Sequence, residues 1–252
     1  MPSLDPIWLL LAGFGGGLSG SVAGLASLVS YPALLAVGVP PISANVTNTV
    51  SLVFSSAGSV WGSRPELKGQ GARARGLAPV AVAGGASGGA LLLLTPASDF
   101  SRAVPILIGV ASLAILVPRR GPRATPDDTE RRRPTLPLAA AIFVVSLYGG
   151  YFGAAAGVIM LATLLLATAQ PLARANALKN VLLGMANAVA AVAFAIFGPV
   201  RWWDVLPLAV GFLAGGRLGP IVVRRVPAWP LRIMIALCGV GLAVHLGLGA
   251  YG

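Results

Sequence analysis

The stretch GFGGGLSGSVAG, residues 13–24, holds six glycines in twelve positions inside an apolar run that otherwise suits a membrane span. Glycine in mid-helix costs roughly 1 kcal/mol relative to alanine, so a cluster this dense needs a reason. The run extends over 6–38, and a second over-long apolar run covers 137–172 with its own cluster, GGYFGAAAG at 149–157. About 36 residues of helix measure some 54 Å at 1.5 Å per residue, too long for one comfortable crossing. A hairpin or two short legs fit better, and both glycine clusters fall where such a run would turn.

Around these runs the chain reads as spans. The first half adds apolar segments at 44–61, 76–95 and 101–117; the second adds 175–197, 203–222 and 230–249. Hydrophobic residues make up 56% of the chain and charged ones 10%, too little charge for the surface of a soluble domain. The alternation of a membrane β-barrel is not seen. All five tryptophans (Trp8, Trp61, Trp202, Trp203 and Trp229) lie at segment ends, as in an interfacial belt. The N-terminus lacks the basic start of a secretory signal, so the first segment is expected to stay in the mature protein.

The two halves look like repeats. GGLSGSVAG at 16–24 answers GGYFGAAAG at 149–157, Asn45 with Asn48 answers Asn176 with Asn180, and GGASGG at 84–89 answers GGRLGP at 215–220. The expected organisation is a first transmembrane repeat over 1–117, a cytoplasmic linker over 118–134 and a second repeat over 135–252. Charge orients them. The loop 62–75, the linker and the segment holding Arg224, Arg225 and Arg232 are basic, and the positive-inside rule puts all three in the cytoplasm. They share that side if the run 137–172 goes in and comes back, and the same logic is applied to 6–38. The fold class that follows is an all-α polytopic membrane protein of two inverted repeats, each a glycine-rich broken helix or hairpin followed by three transmembrane helices. The net charge of +11 is explained by this topology and does not call for a nucleic-acid partner.

Unwound backbone at membrane depth is tolerated where it is buried in protein or lines a watery cavity. Repeat-built transporters use such breaks to aim helix N-termini at an anion near the midplane. Gly20, Gly24, Gly153 and Gly157 would let backbone amides approach a substrate, with Ser19 and Ser21 adding hydroxyls. The same glycines also suit close helix packing through small-xxx-small contacts. On the following spans, Asn45, Asn48, Ser55 and Ser59 fall near one helical face, as do Asn176, Asn180, Gly184 and Asn187. These asparagines suit either substrate contacts or hydrogen bonds between helices. Lys179 sits beside the second stripe with no acid near it in sequence, and a substrate anion is its natural counter-charge. The seven acids fall in termini, loops or segment ends, and Cys238 is the only cysteine. No metal-ligand cluster, nucleophile–base pair or phosphate loop is present in the sequence, so no enzyme, cofactor or metal site is expected.

With YGGYFGAAAGV, RANALKN, Asn187, FGPVRW and GGRLG in order, the chain resembles the sulfite exporter TauE/SafE family, and ANVTNTV in the first half agrees. The resemblance covers nearly the whole chain and is strongest over 148–220. It implies a bacterial inner-membrane permease for small sulfur-containing or organic anions such as sulfite and sulfonates. It maps the glycine-rich segments onto Gly20, Gly24, Gly153 and Gly157, and RANALKN onto Arg174, Asn176, Lys179 and Asn180. Arg217 and Pro220 depart from the pattern expected around GGxLG. A substrate site between the elbows and the asparagine and lysine stripes is thus expected, in a lipid bilayer. A membrane partner or assembly protein without transport activity is the alternative.

Overall fold

The computed structural model describes residues 5–116, 135–168, 170–223 and 229–251. The linker 118–134, and Arg224 with Arg225, lie outside the described residues. Among the described residues the chain is helical and without strands: α1 (Asp5–Ala23), α2 (Ala26–Ala36), α3 (Pro41–Gly62), α4 (Arg64–Leu67), α5 (Gly71–Leu94), α6 (Ala97–Leu116), α7 (Leu136–Tyr151), α8 (Ala156–Thr168), α9 (Leu172–Phe197), α10 (Trp202–Val223) and α11 (Trp229–Tyr251). Four of them, α1, α5, α9 and α10, are long and apolar enough to cross a membrane; α2, α7 and α8 are shorter apolar helices.

Each over-long run is broken. The first turns at Gly24, with φ +78°, and the second at Gly153 (φ +76°) and Ala155 (φ +57°). Glycine adopts this left-handed conformation without the Cβ clash that other L-residues suffer. Past Gly24 the chain folds back along α1: Gly20 lies against Ala26, and Gly16 against the Ala26 carbonyl and Ser30. Gly15, Gly16 and Gly20 therefore serve the packing of a helical hairpin, and Gly24 makes the turn. Both elbows are buried, with Gly24, Leu25, Phe152, Ala154 and Ala155 shielded from solvent. There Gly24 packs directly on Gly157, a contact too close for a side chain on either.

Small residues also set the helix directions. Gly13 meets Leu208 and Gly17, one turn on, meets Phe212, so α1 and α10 run in parallel. α3 joins them, with Gly58 against Leu213 and Gly62 against Arg217. A second parallel set is formed by α5, α7 and α9: Gly84 packs on Phe143, Gly88 on Leu147, Gly85 on Ala186 and Gly89 on Ala190. The sets run oppositely: Gln70, past the end of α3, bonds Arg174 at the start of α9, and Arg201, past the end of α9, bonds Thr47 near the start of α3. Each set combines helices from both halves. They meet where α3 faces α9, Ser56 against Gly184, while α6 and α11 pack chiefly on each other.

Apolar burial is divided between two clusters. The larger includes Leu25, Tyr31, Val46, Phe152 and Phe212, and the smaller Leu77, Ile142, Met160 and Leu178. Phe152, beside the second elbow, meets Tyr31 edge-on at 5.4 Å and Phe100 at 5.9 Å, which locks α2 and α6 to that elbow. In lipid, close packing and hydrogen bonds carry assembly, because the acyl chains are as apolar as the core.

Candidate functional site

The polar residues gather at the elbows. At the end of α1 the chain unwinds, and its last carbonyls take up side-chain donors from α9. Lys179 Nζ on α9 donates to the Gly20 carbonyl at 2.9 Å, and Asn176 Nδ2 donates to the Ser21 carbonyl at 2.8 Å. The second elbow is held in the same manner. Asn45 Nδ2 on α3 donates to the Tyr151 carbonyl at 2.8 Å, and the Tyr148 hydroxyl to the Ala154 carbonyl at 2.8 Å. Asn45 and Asn176, matched in the sequence, thus do matched work, each clasping the broken helix of the other half. Asn48 lies one turn on: it accepts from Ser30 Oγ at 2.6 Å and donates to Ser27 Oγ at 3.1 Å, tying α2 to α3.

Beside the Gly24–Gly157 contact is a cavity of about 50 Å³, walled by α2, α3, α8, α9 and the ends of both elbows. A single water needs roughly 10–15 Å³ of such space, so a few waters or a small oxyanion fit. Gly20, Gly24, Gly153, Gly157, Lys179, Asn180 and Asn187 line it. Ser19, Ser21, Asn45, Asn48 and Asn176 do not. Ser19 Oγ instead donates to the Gly16 carbonyl at 3.2 Å, and Ser21 Oγ is buried without a partner. The four matched glycines also divide. Gly24 and Gly153 make the turns, whereas Gly20 and Gly157 sit within α1 and α8, where bulk is excluded.

The lining is rich in donors. The first turns of α2 and α8 border it through Ala26, Ser27, Ala156 and Gly157, bringing the positive ends of two helix dipoles to one place. Ser55, Ser56 and Ser59 add hydroxyls from α3. Ser27 Oγ accepts from Asn48, which leaves its own proton to donate. Lys179, 1% exposed, brings an ammonium that is engaged within the protein. Asn180, 6% exposed, carries a buried Nδ2 that has no partner. Among the described residues no carboxylate lines the cavity.

Ser27 and Ser56 were not singled out by the sequence. Ser55 and Ser59 showed as a one-turn stripe on α3, but nothing in the spacing of Ser27 reveals that α2 folds back to present it. Arg217 lies away from the site: it is exposed, with its Cζ 4.1 Å from the Trp61 ring centre.

Two interrupted helices meeting within a bundle of apolar helices define an all-helical, multi-pass membrane protein. The chain belongs to the sulfite exporter TauE/SafE family, whose profile matches residues 9–246. It is similar to the probable membrane transporter protein YfcA of Escherichia coli strain K12, 28% identical over 246 residues that cover 96% of this chain and 88% of that one. It is also similar to the probable membrane transporter protein ORF9 of Sinorhizobium sp., 24% identical over 244 residues, 95% of this chain and 91% of that one. No solved structure gives a significant match.

Proposed function

We propose that this protein carries small sulfur-containing anions, sulfite or organosulfonates, out across the bacterial inner membrane. The reading takes 1–117 and 135–252 as inverted repeats joined by a cytoplasmic linker, with substrate bound between the elbows. Support for inversion comes from helix direction: α1 with α3 runs opposite to α7 with α9, their counterparts. Alternating access would follow from rocking one parallel set against the other. A potential negative inside favours an anion leaving by about 2.3 kcal/mol per charge per 100 mV, so export needs no coupling ion.

The observation that carries the reading is the cavity at the Gly24–Gly157 contact, lined by two helix N-termini and the partnerless Nδ2 of Asn180. A donor-rich, carboxylate-free pocket disfavours cations and suits an oxyanion. Asn180→Asp, nearly identical in shape, replaces that donor with an acceptor. A hydrogen bond to a charged group is worth about 1.5–3 kcal/mol, so sulfite flux in proteoliposomes should fall roughly tenfold to a hundredfold. Sulfite should also raise the melting temperature of the purified wild type in a concentration-dependent way. Unchanged flux in the variant removes Asn180 from the site. A folded wild type with neither flux nor thermal shift across sulfite, thiosulfate and small sulfonates defeats the transport reading and favours a non-transporting partner protein.

A further inference from the structure

Both positions where the chain departs from the family pattern, Arg217 and Pro220, meet at Gly62, the last residue of α3. A Cβ on Gly62 would lie 2.5 Å from the Arg217 carbonyl oxygen and 3.1 Å from Pro220 Cγ, so α10 is pressed onto the end of α3 there. That approach sets the Arg217 guanidinium over Trp61, 4.1 Å from the ring centre, and Arg64 approaches the same ring at 5.8 Å. A cation this close to an indole face is attracted by its quadrupole, which fixes two like charges on one exposed side chain. Trp61 is 47% exposed. Leu218 and Ile221, on α10 nearby, are exposed and apolar, a surface suited to acyl chains.

We propose that Trp61, Arg64 and Arg217 form a binding site for the headgroup phosphate of an anionic phospholipid in the leaflet facing the 62–75 loop. Two guanidiniums gathered on one exposed ring concentrate positive charge there, and arginine matches phosphate oxygens with its planar fork. The positive-inside rule puts the basic loop on the cytoplasmic side, where anionic lipid attracts interfacial basic residues. The site stands apart from the elbow cavity, and its test does not depend on what that cavity carries.

The experiment is native mass spectrometry of protein released from phosphatidylcholine bilayers doped with phosphatidylglycerol, with thermal unfolding in each lipid. Wild type should retain phosphatidylglycerol preferentially, and Arg64→Gln with Arg217→Gln should lose that preference on the order of tenfold, given the usual strength of two interfacial arginines. Their melting temperature in phosphatidylcholine alone should be unchanged, since both side chains are exposed. Arg217→Lys, which keeps charge but loses the planar stack, should retain part of the preference and covers the case in which the double variant fails to fold. Equal retention by wild type and the double variant overturns the proposal. So does an equal loss on Arg75→Gln, an exposed charge near the same loop, because the attraction would then be diffuse. Stabilisation of wild type by inorganic phosphate alone, lost with Arg217→Gln, would make the occupant a free anion and also overturns it.

Discussion

Lys179 shows how a buried charge can be held without a neighbouring acid in sequence: its ammonium meets a helix-end carbonyl, the negative pole of the interrupted α1. Asn45 and Asn176 do comparable work with neutral amides. These clasps and Asn180 look alike in sequence, yet they predict different losses. Asn45→Leu or Asn176→Leu leaves a buried carbonyl unsatisfied, a cost of about 1–3 kcal/mol. Asn180→Leu removes an Nδ2 donor that has no partner and should destabilise less. Unfolding of the three variants in detergent checks the order; equal losses would mean that Asn180 is structural.

For the elements, the decisive feature is that two helical runs are interrupted and the buried breaks touch at Gly24 and Gly157. Gly24→Ala would combine left-handed strain, about 1–2 kcal/mol, with a collision against the Gly157 backbone. Gly157→Ala adds the collision alone, 2.5 Å from Gly24 Cα within an ordinary helix. Gly38→Ala adds strain alone, because its φ is +79° and nothing lies within 4 Å of the new methyl. The melting temperature should therefore fall most for Gly24→Ala, and transport should be lost in the first two but not in Gly38→Ala. A Gly157→Ala variant with normal flux would show that the elbows need not touch.

Across the whole molecule, the parallel sets α1–α3–α10 and α5–α7–α9 interleave the halves, so neither half holds a complete cavity wall. α3 and α10 end on one side and α9 begins there, with Gln70 of the basic loop donating to the Arg174 carbonyl at 3.0 Å. In a background lacking Cys238, a cysteine replacing Lys68 should be labelled from the cytoplasm. Cysteines replacing Asp99 or Arg201 should be labelled from the opposite side. Labelling of position 201 from the cytoplasm would defeat the inverted arrangement.

Hydropathy and punctuation made the helices legible, because a bilayer imposes span length and forbids unpaired backbone. The expected span at 44–61 is α3 at Pro41–Gly62, and the over-long runs do break within their glycine clusters. The family was legible too, since its motifs are local strings. Other features were settled by folding alone. Which glycine turns depends on the packing of each hairpin, so Gly24 and Gly153 take left-handed backbone while their matched partners stay helical. Which asparagine clasps and which faces the cavity depends on where the opposite half's carbonyls end. Those distances cross the chain by more than a hundred residues, and one-dimensional spacing carries no record of them.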